Sequence, residues 1–268
     1  MTVQDKIPVT VLTGFLGAGK TSAIRHLLET ANGKRLALII NEFGDLGVDG
    51  EIVKGCGIEG CADEDVLELA NGCICCTVAD NFLPTIETIL ARPDAPDHII
   101  IETSGLALPK PLIKAFNWPE VRNRVTVDGV VAVVDGPAVA DGLFAMDPSA
   151  VDAQLQNDDS LDHESPLEEL LEEQLGSADL VLLNKMDMVA PDAVRGVTED
   201  IKSSVRAGVK LLNSEHGRID AAILLGLNAA AEGDLASRYS HHDGADHDHD
   251  HDDFTSFAVE TGAFASPE

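Results

Sequence analysis

Short continuous apolar runs rich in Val, Ile and Leu recur along this chain, each ending in a polar or glycine-marked stretch. Val9, Val11 and Leu12 form the first. Residues 35–40 (RLALII), 98–101 (HIII), 125–127, 129–135, 180–183 (LVLL) and 209–212 follow. Runs of this length and residue type predict buried strands. Between them lie stretches of helical composition: residues 21–31, closed by Asn32-Gly33, residues 82–90, stopped by Ala91-Arg92-Pro93, and residues 219–227 as a closing helix. Another helix is predicted over residues 166–175. Ser165 is its cap, Glu168 lies three residues on, Pro166 takes the first turn and Gly176 follows the end. Strands alternating with helices predict an α/β fold with a mostly parallel sheet flanked by helices.

The stretches that follow the strands carry the candidate chemistry. After Leu12 comes Gly14-Phe15-Leu16-Gly17-Ala18-Gly19-Lys20-Thr21, which fits the phosphate-loop pattern G-x-x-x-x-G-K-[ST]. Gly14, Gly17 and Gly19 permit backbone angles that a Cβ penalises, so N–H groups from there through Ala18, Thr21 and Ser22 can turn around phosphate oxygens. Lys20 places a charge on the β- and γ-phosphates, and the Thr21 hydroxyl is a hard ligand suited to Mg²⁺. The following helix directs its positive end at the same phosphates. A chance glycine-rich turn is the alternative; the complete pattern between a strand and a helix speaks against it. The 98–101 strand leads into Glu102-Thr103-Ser104-Gly105. Glu102 can orient Mg²⁺ or its water shell, and Gly105 lets backbone meet the γ-phosphate. The 180–183 strand ends in Asn184-Lys185-Met186-Asp187, an N-K-x-D motif. Its Asp can accept two hydrogen bonds from guanine's ring N–H and exocyclic amine, a donor pair that adenine lacks. Together these motifs predict a P-loop GTPase with Lys20 and Glu102 as its catalytic residues, on GTP and Mg²⁺.

Five cysteines cluster between Cys56 and Cys76, and Cys73, Cys75 and Cys76 form a C-x-C-C group. In an extended segment Cys73 and Cys75 point to the same side and can share a metal. Thiolates suit Zn²⁺ and other borderline divalent ions. A buried or redox-active thiol group is the alternative, and Cys56 and Cys61 are weaker candidates. Glu42 and Asp45, in the loop after the 35–40 strand, fall where open α/β sheets bind ligands, and that loop can change order with nucleotide state.

Composition narrows the partners. The chain has 268 residues, 44% of them apolar and 4% aromatic, so aliphatic side chains must build the core. Eighteen basic residues against 47 acidic ones give a net charge of −29, which argues against nucleic acid and anionic membranes and makes a cation a natural ligand. No signal peptide or long apolar segment is visible, which reads as a cytosolic chain. In a reducing compartment the cysteines suggest metal or redox chemistry rather than structural disulfides. Five of the nine histidines lie in residues 241–251, alternating with carboxylates. Such a tract cannot build a core and reads as a mobile linker or weak metal collector. The expected organisation is a GTPase domain over residues 1–237, a His/Asp-rich linker over 238–253 and the start of a further domain over 254–268.

GFLGAGKT, NEFGDLGVDG, ELANGCICCTVAD, ETSG and NKMD, in this order, closely resemble the CobW-type metallochaperone GTPases, from about Pro8 to Leu227. The resemblance implies a metal site built from Cys73, Cys75 or Cys76 with Glu42 as an oxygen ligand. The 56–76 stretch resembles the branch associated with cobalamin biosynthesis, which implies Co²⁺ as cargo and a protein acceptor in that pathway; other branches are linked to Zn²⁺. The resemblance also implies that most of a C-terminal domain is missing. Intrinsic hydrolysis is expected to be slow, since no arginine is marked to reach the γ-phosphate. Cobalt chaperone, zinc chaperone and passive metal buffer remain open, and the intact phosphate loop and N-K-x-D speak against the last.

Overall fold

The structure, a computed structural model, describes residues 6–31, 33–40, 66–68, 82–151 and 167–238. The strands are β1 (Ile7–Thr13), β2 (Leu36–Ile40), β3 (Val66–Glu68), β4 (His98–Glu102), β5 (Val125–Asp135), β6 (Leu180–Asn184) and β7 (Lys210–Asn213). They form one sheet in the order β3-β2-β4-β1-β5-β6-β7, with every neighbouring pair parallel. The helices α1 (Lys20–Glu29), α2 (Leu83–Leu90), α3 (Pro109–Ala115), α4 (Gly136–Ala140), α5 (Leu167–Ser177), α6 (Val194–Ser204) and α7 (Ala221–Leu224) connect and close it.

Parallel neighbours need crossovers, and these put helices over both faces, so the central strands are buried on both sides and read as continuous apolar runs. Ala37, Ile39, Ile99 and Ile101 pack with Ile86, Ile89, Leu112 and Phe116 on one face. Leu36, Leu38, Ile40 and Ile100 pack with Ile24, Leu27 and Leu224 on the other.

Three of the differences between sequence and structure trace to long-range contacts. The runs 125–127 and 129–135 are one strand. Val9 pairs with Val127 and Thr10 with Gly129, so Asp128 is an extra residue and β5 bulges there. The Asp128 carboxylate then accepts the N–H groups of Leu227 and Asn228, each at 2.9 Å. The closing helix expected over residues 219–227 is accordingly only α7: Asp220 caps it through Ala222 N–H, and the later N–H groups go to Asp128 instead. Helix α5 runs through Gly176 rather than stopping before it. Its terminal carbonyl at Ser177 accepts from the buried Arg238 guanidinium, so no glycine cap is required. Ser165 and Pro166 lie outside the described residues. Helix α1 ends at Glu29, two residues early, with Thr30 donating its hydroxyl to His26 O at 2.7 Å. The three-residue β3 was not anticipated; it is too short to show a period.

His98, at the start of β4, is wholly buried. Its Nε2 lies 2.8 Å from Thr10 Oγ1, and that hydroxyl donates to Leu224 O at 3.0 Å. With its own proton committed to Leu224, Thr10 accepts from Nε2–H, which fixes the neutral tautomer. Burial, assisted by the charge of Lys34, pushes the imidazole pKa down to about 4.

Candidate functional site

Because all the strands run the same way, their carboxyl ends share one edge, and the motif-bearing stretches meet there. β1 is central and delivers residues 14–19 directly into α1. Lys20 is buried in the first helical turn and donates Nζ to Gly14 O at 2.8 Å and to Phe15 O at 3.4 Å. Thr21 is half-buried and Ser22 exposed in the same turn.

The first and third motifs interlock. Asn184, buried at the end of β6, donates Nδ2 to Ala18 O at 2.9 Å. Gly19 has φ +102°, and a Cβ there would lie 2.2 Å from that same Nδ2, so this position needs glycine on two counts. The second motif closes on the loop from the other side. Thr103 N–H donates to Leu12 O at 2.9 Å, and a Cβ on Gly105 would approach Leu16 N to 2.8 Å. Glu102 is buried at the end of β4. Lys185 adopts the left-handed conformation and pairs with Asp135 at 2.6 Å, and Asp135 also caps α4. Asp187 keeps 31% of its side chain open, 3.8 Å from His216 Nε2.

Sequence reading missed the loop over residues 214–218 after β7. Gly217 N–H donates to Asn184 Oδ1 at 2.9 Å, Met186 N–H donates to Ser214 O at 3.1 Å, and His216 faces Asp187. Its only sequence signal is position: a polar, glycine-containing stretch at the carboxyl end of a strand. Asp135 was missed as well, being indistinguishable in sequence from an ordinary helix cap.

The metal ligands expected at Glu42, Cys73, Cys75 and Cys76 lie outside the described residues, as do Cys56, Cys61 and the 241–253 tract. Among the described residues, no three His, Cys, Asp or Glu side chains gather into a metal-holding group. The strands that lead to the expected ligands are described. Ile40, two residues before Glu42, pairs with Glu68, five residues before Cys73.

The nucleotide-binding-domain model of the CobW/HypB/UreG family matches residues 8–213, from β1 through the last strand. The chain belongs to this family. It is a P-loop GTPase, with the parallel sheet and flanking helices of that class. The zinc chaperone CobW of a Sinorhizobium species is 58% identical over 98% of the chain, which spans 75% of that relative. The zinc chaperone CobW of Pseudomonas aeruginosa is 55% identical over 91% of the chain, which spans 66% of it. Among solved structures, the Zn(II)-bound YjiA GTPase of E. coli has a TM-score of 0.52 and 26% identity, covering 84% of this chain and 63% of its own. No helix among the described residues is long and apolar enough to cross a membrane.

Proposed function

We propose that the chain is a GTP-driven metallochaperone that binds its cargo ion in the Mg²⁺-GTP state and releases it to a protein acceptor after hydrolysis. The observation that carries this is the pairing of Ile40 with Glu68: the stretches bearing Glu42 and the cysteine cluster leave the sheet from adjacent positions on the phosphate-loop edge. A nucleotide that orders one of these stretches can therefore act on the other. The residues present fit Mg²⁺: Thr21 offers a half-buried hydroxyl and Glu102 a buried carboxylate, both hard oxygen donors. Lys20 neutralises phosphate charge, Gly105 N–H meets the γ-phosphate, and Asp187, Asn184 and Lys185 select guanine.

Cys73 and Cys75, with Cys76 or Glu42, are the proposed cargo ligands. The proposed cargo is Zn²⁺, supported by two relatives above half identity that are named zinc chaperones. Co²⁺ for cobalamin biosynthesis is the second reading, favoured by the resemblance of the 56–76 stretch to that branch. Zn²⁺ outcompetes Co²⁺ at equal ligands, so the two are compared under buffered free-ion conditions. Zn²⁺ and Co²⁺ titrations side by side in Mg²⁺-GTP test the assignment. Cys75→Ser abolishes the tightest site and the cobalt–thiolate absorption, and Cys61→Ser leaves both nearly intact. An undiminished tight site in Cys75→Ser would refute the ligand set.

A further inference from the structure

Helix α5 touches the nucleotide edge at a side chain that no motif contains. Gln174 is 1% exposed, and its Nε2 donates to two backbone carbonyls, Gly105 O at 2.9 Å and Ala107 O at 3.4 Å. Two carbonyl acceptors require a donor, so chemistry fixes the orientation of the amide. The carbonyls belong to a tight turn that Ala107 N–H closes onto Ser104 O at 3.1 Å. The turn is pressed against the phosphate loop, since a Cβ on Gly105 would meet Leu16 N at 2.8 Å and Phe15 C at 3.3 Å. One helical turn before Gln174, Leu170 packs with Phe15 and Leu106, so the same face of α5 grips both the loop and the turn. Gln174 Oε1 is buried with no hydrogen-bond partner among the described residues. The amide is thus held through its donors alone, and its fit depends on where those two carbonyls stand.

We propose that Gln174 is a positioning residue for the triphosphate-reading turn: its amide holds residues 104–107 against Phe15 and Leu16, presents Gly105 N–H to the third phosphate, and so sets the preference for nucleoside triphosphate over diphosphate. This rests on the reading of Gly105 as the γ-phosphate contact. The residue never touches the nucleotide. It acts by removing the freedom of the turn before the ligand arrives, which favours only a ligand that uses the turn.

The test uses the 268-residue chain, fluorescent GDP and a non-hydrolysable GTP analogue, with Mg²⁺ and no cargo metal. Gln174→Met keeps volume and removes both donors; Gln174→Glu sets a carboxylate against two carbonyls. Each is expected to reduce analogue affinity relative to GDP affinity by about tenfold or more while GDP affinity stays near that of the unaltered chain. An unchanged ratio in either folded variant overturns the role of Gln174, as does an equal loss for both nucleotides, which is what a merely structural residue would give. If the unaltered chain does not distinguish the two nucleotides, the reading of Gly105 falls and this proposal with it. Hydrogen exchange on the unaltered chain supplies a readout that needs no variant. Residues 104–107 and 170–175 are expected to gain protection together on adding the analogue and not on adding GDP, and independent behaviour overturns the proposal.

Discussion

Asn184 is the residue at which the ends of β1, β6 and β7 are tied, since its amide donates to Ala18 O and accepts from Gly217 N–H. In the proposed site Asp187, whose carboxylate remains partly open, reads guanine's donor pair, while Asn184 ties together the loops around it. Asp187→Asn is expected to reduce guanine preference by ~1–3 kcal/mol, the cost of replacing an acceptor pair with a mismatched amide. Competition of GTP against ATP measures it, and equal affinity for the two in the unaltered chain would refute the assignment. His98 makes the second prediction at this scale. Above its unfolded pKa of 6.5 the folded and unfolded chains both hold it neutral; below that the unfolded chain takes a proton which the folded one refuses until about pH 4. Stability is therefore full above pH 6.5 and falls as pH drops through this window, by a total of ~3 kcal/mol. His98→Gln keeps a donor for Thr10 and removes the titration, so its denaturation midpoints between pH 4 and 6.5 are expected to fall less than those of the parent.

Among the elements, those legible in the sequence are those whose signal is local. The phosphate loop is a strand, three glycines and a helix start in consecutive residues, and the inner strands are apolar runs because both their faces are covered. What stayed hidden is made by partners far apart in the chain. Asp128 ends the last helix by taking Leu227 and Asn228, Glu232 bonds Thr126 and Val127 N–H, and Gln174 reaches Gly105. None of these residues differs in type from a solvated surface residue, so no pattern could announce it. The segment after α7 acts as a strap across β5, and its Arg238 guanidinium donates to Ser177 O and pairs with Asp179 at 2.8 Å. Arg238→Ala removes a buried cation from a pair that Arg206 only partly replaces, at 3.0 Å from the same Asp179 oxygen. A loss of about 3 kcal/mol in chemical denaturation is expected. A loss near zero would show that the strap is held elsewhere.

For the whole molecule, the parallel sheet separates two ends. The phosphate loop, Glu102, Asn184 and the exits of β2 and β3 share the edge where the strands finish, whereas Arg238 is tied beside Asp179, where β6 is about to begin. The stretch from Val125 to Asn184 contains no Lys or Arg, and the net charge of −29 over the whole chain favours cations over anions as ligands. On the proposed reading cargo selectivity comes from the thiolates, because a diffuse negative field attracts every divalent ion alike. On the proposed reading nucleotide and cargo ion bind cooperatively, and linkage requires the coupling to be reciprocal. The direct measurement is the Zn²⁺ dissociation constant of the chain with Mg²⁺ plus a non-hydrolysable GTP analogue, with Mg²⁺-GDP, and without nucleotide. Binding is predicted to be tighter with the analogue than with GDP by ~1–3 kcal/mol, and weakest without nucleotide. Equal Zn²⁺ affinity in all three states would contradict the account and leave a GTPase beside an unrelated thiol site.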